Sequence, residues 1–160
     1  MDRAAAAAPA AAACGGYERQ AAATLVVLGV AYAAYARAWK SLARAAARAE
    51  SEQLAKKPRE FTRAQLRRYD GSSAWRPLLL AIKGMVLDVT TGEDYYGPQG
   101  PYRRMAGRDA SYAFATLSLK EEDMHDDVDS LGAEKLKVLD DWHEKLAKKY
   151  PYVGRITYAS

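Results

Sequence analysis

The chain has 160 residues and a net charge of +4, and eight basic side chains against four acidic ones precede Pro58, whereas sixteen of each follow it. The electrically neutral C-terminal part argues against nucleic-acid binding, which calls for a basic domain. Cys14 is the single cysteine, which excludes an internal disulfide and a cysteine metal cluster.

Residues 1–19 are rich in alanine, broken by Pro9, and read as a disordered tail. Residues 20–39 open with the uncharged run QAAATLVVLGVAYAAYA, slightly under the roughly 20 residues that span a bilayer. Arg37 and Lys40 lengthen it by snorkelling, and Tyr32, Tyr35 and Trp39 suit the interface. A transmembrane anchor is the favoured reading, with a cleaved targeting segment and an alanine-rich soluble helix as alternatives. Residues 37–57 carry six basic and two acidic side chains, against two of each in residues 1–20. That bias puts the following domain in the cytosol. Residues 40–57 read as a basic helical stalk lying over anionic headgroups.

Lys57-Pro58 marks the start of a globular domain over residues 58–157. Phe61-Thr62 is a short apolar entry, and Thr62 suits the N-cap of a helix running through Leu66 to Tyr69. Asp70-Gly71-Ser72-Ser73 is a turn. Pro77–Ile82 and Met85–Val89 read as strands of a hairpin joined by Lys83-Gly84. Asp94–Ala115 starts as a loop with Pro98, Pro101, Gly97, Gly100 and Gly107, which no regular element accommodates together. Asp109 is placed to cap a helix from Ala110 to Leu117, with Tyr112, Ala115 and Thr116 on one face. The acidic stretch from Glu121 to Asp129 reads as a solvated face without calcium-loop spacing. Ala133–Lys149 is amphipathic, with Leu136, Leu139, Trp142 and Leu146 as its buried stripe. Arg155–Thr157 offers a last short strand. Short helices beside a few strands define an α+β domain.

Conventional catalytic patterns are missing from the sequence: there is no phosphate-binding glycine loop, no dinucleotide fingerprint and no nucleophilic cysteine in the domain. Tyrosine is the better chemical material. A phenolate is a hard anionic donor and an established axial ligand of haem iron. Tyr102 is held between Pro101 and the Arg103-Arg104 pair, and Lys149-Tyr150 offers a cation and a second phenol at the end of the long helix. From the residues alone, simple packing of the loop by its tyrosines is the favoured reading, and a ligand role is the alternative.

Three segments carry a resemblance. EFTxxxLxxYDG over Glu60–Gly71, LLLAIKGMVLDVT over Leu78–Thr90 and YYGPQGPYxxMAGRDAS over Tyr95–Ser111 resemble the membrane-associated progesterone receptor family, and within it the plant membrane steroid-binding proteins. The resemblance implies a cytochrome b5-like haem/steroid-binding domain behind an N-terminal transmembrane helix. It implies a non-enzymatic function: binding a steroid or other apolar small molecule, and binding haem with Tyr102 as the axial iron ligand, Tyr96 beside it, and Lys149 and Tyr150 closing the site. The paired histidines of an electron-carrying cytochrome b5 are missing, and Arg103-Arg104-Met105 stands where relatives often carry smaller or apolar residues. The resemblance also implies association with cytochrome P450 enzymes as an adaptor, a haem-dependent homodimer, and residence in the endoplasmic reticulum or plasma membrane. An electron-carrier role is the least favoured alternative, because the ligand set is wrong for it.

Overall fold

A computed structural model describes residues 14–158. Helix α1 (Cys14–Lys56) is followed by β1 (Arg59–Thr62), α2 (Arg63–Leu66), β2 (Leu79–Ile82), β3 (Met85–Asp88), α3 (Glu93–Tyr96), α4 (Ser111–Thr116), α5 (Ala133–Lys149) and β4 (Tyr152–Thr157). Two compact units divide the chain between Ser41 and Leu42.

The first unit is helical as far as it is described. Gln20–Lys56 is long and apolar enough to cross a membrane by length and composition. The disordered tail expected over residues 1–19 meets two different outcomes. Residues 14–19 belong to α1, and the remainder lies outside the described residues.

The second unit begins well before Pro58, because the C-terminal part of α1 belongs to it. Ala43, Ala47 and Leu54 are buried at spacings that put them on one helical face. Leu54 joins Phe61, Leu66, Tyr69, Leu79, Ala81, Val86, Val153 and Ile156 in one apolar cluster. The Tyr69 hydroxyl donates to Glu50 Oε1 at 2.7 Å and accepts from Arg59 Nη2 at 2.8 Å. The segment read as a free stalk is therefore a packed element of the domain. Its alanines permit close approach, and its arginines stay exposed on the other side.

The four strands form a mixed sheet in the order β1-β4-β3-β2, with β1 and β4 parallel and the other pairs antiparallel. Alternation along β2 sends Leu79 and Ala81 to the cluster with Leu54, and Leu80 and Ile82 to the other face. Both faces are covered, so the strand is buried throughout, and it reads as a continuous apolar run. Lys83 (φ 52°) and Gly84 (φ 73°) both turn left-handed, the geometry that closes a two-residue hairpin.

Several boundaries differ from the sequence expectation. Arg59–Thr62 is a strand rather than an entry segment, while Pro77, Leu78 and Val89 fall outside the hairpin strands. Thr62 does cap α2, reciprocally with Gln65, whose backbone N–H it accepts at 3.2 Å. Asp109 does not cap at the expected position. Its Oδ1 accepts from Ser111 N and Ser111 Oγ, and α4 starts at Ser111. Helix α5 keeps the expected bounds, with Leu139 and Leu146 buried and Trp142 half-buried, but Leu136 is exposed.

Truncating Leu54 tests the docked helix. Leu54→Ala is expected to cost about 2–4 kcal/mol in urea unfolding of the domain followed by tryptophan fluorescence. A loss within about 0.5 kcal/mol, the usual range for a surface position, would show that the helix does not pack there.

Candidate functional site

The glycine- and proline-rich loop is fixed at both ends. On its entry side, Val89 N–H donates to Leu78 O at 2.8 Å, and a turn at Thr90–Gly92 leads into α3. On its exit side, Gly107 N–H donates to Leu79 O, Ala81 N–H to Arg108 O and Ala110 N–H to Ala81 O, at 2.7–2.9 Å. The loop thus ends as a short parallel extension along β2. Between these anchors, Tyr102 N–H donates to Tyr95 O at 2.8 Å and Met105 N–H to Tyr102 O at 2.9 Å. Gly100 makes the closure possible, since a Cβ there would lie 2.2 Å from Tyr95 O.

This closure gathers the tyrosines. Tyr95 and Tyr102 have ring centroids 6.4 Å apart with planes 24° from parallel, and Tyr96 and Tyr102 are 6.0 Å apart. Tyr96 meets Tyr150 edge-on at 6.1 Å. Lys149 Nζ sits 5.6 Å from the Tyr95 ring centroid and 5.1 Å from that of Tyr150. The contacts form a circuit: Lys149, Tyr95, Tyr102, Tyr96, Tyr150 and back to Lys149. The four residues singled out in the sequence, Tyr102, Tyr96, Lys149 and Tyr150, come together, although they derive from a loop, a short helix and the end of α5.

Exposure divides their roles. Tyr96 (6%) and Tyr150 (4%) are buried, whereas Tyr102 (36%) and Tyr95 (51%) face solvent. The buried pair rests on an apolar floor that includes Leu87, Val89, Met105, Ala110, Phe114 and Leu146. Phe114 of α4 in turn packs against Trp142 of α5 at 5.6 Å. Gly92 leaves room for the Tyr150 hydroxyl, which a Cβ would approach to 2.6 Å. Burial first, then the neighbouring Tyr150 and Tyr102 hydroxyls, pushes the Tyr96 phenol well above the usual tyrosine range. Tyr96 is therefore a hydrogen-bond donor at all ordinary pH values.

The two histidines serve other contacts. His125 packs on Tyr112 at 4.5 Å, and its Nδ1 accepts from Asp127 N–H at 3.2 Å. His143 is half-buried along α5. No group of three or more His, Cys, Asp or Glu side chains is arranged to hold a metal among the described residues. The acidic stretch is partly engaged within the domain: Glu121 pairs with Arg108 and Asp126 with Arg63, each at 2.7 Å. Tyr95 is the site residue for which the sequence suggested no individual role. Its signal was adjacency to Tyr96: consecutive residues of a helical turn diverge, so one ring enters the core while the other stays outside.

A mixed sheet with helices on both faces, and a loop that presents phenols over one of them, define a cytochrome b5-like domain. Residues 62–157 match the family described as cytochrome b5-like haem/steroid binding domain, and the chain belongs to that family. Membrane steroid-binding protein 2 of Arabidopsis thaliana is 46% identical over 97 residues, 61% of this chain and 42% of that protein. Membrane-associated progesterone receptor component 2 of Homo sapiens is 46% identical over 103 residues, 62% of this chain and 46% of that protein. The chain thus spans less than half the length of these two relatives. A solved Arabidopsis thaliana protein described as having a cytochrome b5 like fold superposes with a TM-score of 0.58 at 44% identity, covering 61% of this chain and 90% of that one.

The raised Tyr96 pKa has a sign that can be measured. The unfolded chain releases this proton near pH 10 and the folded chain only at higher pH. Below that window both states hold the proton and no stability is lost. Within it, stability falls as pH rises, because the unfolded state binds fewer protons. Tyr96→Phe is expected to flatten this fall by up to about 1.4 kcal/mol per pH unit, read by urea unfolding between about pH 9 and pH 11. An unchanged slope would assign the alkaline loss to Tyr69 and Tyr158, whose burial also raises their phenols.

Proposed function

We propose that the chain is a non-catalytic, membrane-anchored binding protein for a steroid or similarly flat apolar molecule, and that the same tyrosine cluster binds haem through Tyr102. The observation that carries this reading is the pairing of two exposed phenols, Tyr95 and Tyr102, with two buried ones behind them. Among the described residues, the hydroxyls of Tyr95, Tyr96, Tyr102 and Tyr150 make no hydrogen bond to protein. An apolar surface with a few free polar tips is the usual composition of a small-molecule site. The names of the relatives support a steroid as the ligand.

The donor set also fits haem, whose ferric iron would supply a Lewis acid able to bind an anionic oxygen. Tyr95 and Tyr102 are both exposed enough to reach an external metal, and Tyr102 is the one that also neighbours the buried Tyr96. Tyr96 stays protonated and would donate to a phenolate at Tyr102. Lys149 would meet a carboxylate at the edge of the macrocycle. An anionic ligand favours the ferric state, which suits binding better than rapid electron exchange. His125 packs on Tyr112 and neither histidine belongs to the tyrosine circuit, so the electron-carrier reading has no ligand pair to draw on there.

The apolar stretch of α1 and the basic residues from Arg37 onward support a single-pass anchor with the domain on the cytosolic side of the endoplasmic reticulum or plasma membrane. The adaptor reading takes second place, since Arg108 and Arg63 already occupy two of the carboxylates that would face a basic partner.

Two measurements on the purified protein test the proposal. Haemin titration is expected to give the spectrum of a phenolate-bound ferric haem, abolished in Tyr102→Phe and weakened about tenfold in Tyr96→Phe, the worth of one hydrogen bond to a charged group. Equilibrium dialysis is expected to show saturable progesterone binding. Binding of neither ligand would sink the reading. Haemin binding that survives Tyr102→Phe would remove Tyr102 as its ligand.

A further inference from the structure

Lys149 is the lysine of α5 whose ammonium lies beside two aromatic rings among the described residues. Lys148 pairs with Glu144 at 3.4 Å, Lys145 lies over Trp142 at 5.2 Å, and Lys83 reaches Asp140 of the same helix. Lys149 pairs with no carboxylate among the described residues, and its ammonium instead rests beside the rings of Tyr95 and Tyr150. The acids that precede Tyr95 leave it free: Glu93 is held by Arg44 at 3.4 Å, and Asp94 forms no ion pair among the described residues. Both ring contacts lie within the roughly 6 Å over which a cation and an aromatic face attract. Tyr150 is fixed by burial. Tyr95 is half in water, and its other ring neighbour is Tyr102. It therefore links the cation to the exposed phenol of the site.

We infer that Tyr95 is a specificity-determining residue that positions Lys149, so that the site prefers a flat apolar ligand bearing an acidic substituent over its neutral parent. The inference rests on the steroid-binding reading above and deepens it. A lysine free to swing in water loses conformational entropy when it meets an anion. One already steadied by two rings loses less, and its charge stands at the edge of the aromatic surface where a sulfate or carboxylate would emerge. The ring of Tyr95, rather than its hydroxyl, does the positioning.

A 3-hydroxysteroid and its 3-sulfate differ only in the charged group, and their dissociation constants for the intact protein test the point. The wild-type chain is expected to bind the sulfate about fivefold more tightly at low salt, the scale of a partly exposed ion pair. The ratio is expected to shrink as salt reaches about 150 mM. Lys149→Met and Tyr95→Ala should each bring the ratio near one, the double variant should go no further, and Tyr95→Phe should keep it. Both side chains are exposed, and circular dichroism verifies that the variants fold. Equal wild-type binding of the two ligands overturns the inference and leaves the steroid site standing. So does a Tyr95→Ala variant that weakens both ligands alike, or a preference that follows Arg103→Ala instead. Binding of neither ligand overturns both readings.

Discussion

One backbone hydrogen bond, from Tyr102 N–H to Tyr95 O, governs the geometry of the site. The prolines and glycines between these residues make a helix or strand impossible there, so the loop must satisfy its polar backbone by other means. This bond closes the loop on itself, and the pairing of residues 107–110 with β2 ties it to the sheet. Once closed, two tyrosines that are distant in sequence become neighbours. The side chain on one side of Tyr95, that of Tyr96, then has no direction open to it except the core. Removal of the closure would leave the phenols attached to separate segments with no common orientation.

Legibility in the sequence follows the range of the interactions. Helix α5 was readable because its apolar period and its Tyr150-Pro151 stop are local. The hairpin was readable because Lys83-Gly84 can adopt the left-handed turn by itself. Strand β1 was not, since in REFT only Phe61 is buried. Its partner is β4, at the far end of the chain, and no local pattern announces a parallel partner of that kind. Leu136 was misplaced because periodicity gives the direction of a side chain but not how far the neighbouring element extends. The site was legible through the loop motif and its family resemblance. The circuit that includes Tyr95 was not, because it depends on where α5 ends relative to α3.

The part of α1 from Leu42 to Lys56 is an element of the domain and packs on the sheet. Leu54 packs with residues on one face of the sheet, while Tyr96 and Tyr150 pack with residues on the other. Glu50 and Tyr69 reinforce the attachment with a partly buried hydrogen bond, and Arg59 completes the chain from β1. The Arg44–Glu93 pair is the one ion pair among the described residues between this helix and α3. Both partners are more than half exposed, and an ion pair of that kind contributes little by itself. The attachment is thus made by apolar packing.

The division between buried and exposed phenols explains how one cluster can serve both stability and binding. A site built only from exposed tyrosines would spend ligand affinity on ordering them. Here Tyr96 and Tyr150 are ordered by the fold before any ligand arrives, and Tyr102 is ordered through its backbone bond and its contact with Tyr96. Tyr96 holds its proton firmly, so it presents a donor. Tyr95 and Tyr102 face solvent in front of it. A paired-histidine arrangement fills both axial positions of a haem and leaves none for a ligand. A single tyrosine ligand, as proposed for Tyr102, would suit a binding protein better than an electron carrier, since an anionic oxygen favours the ferric state.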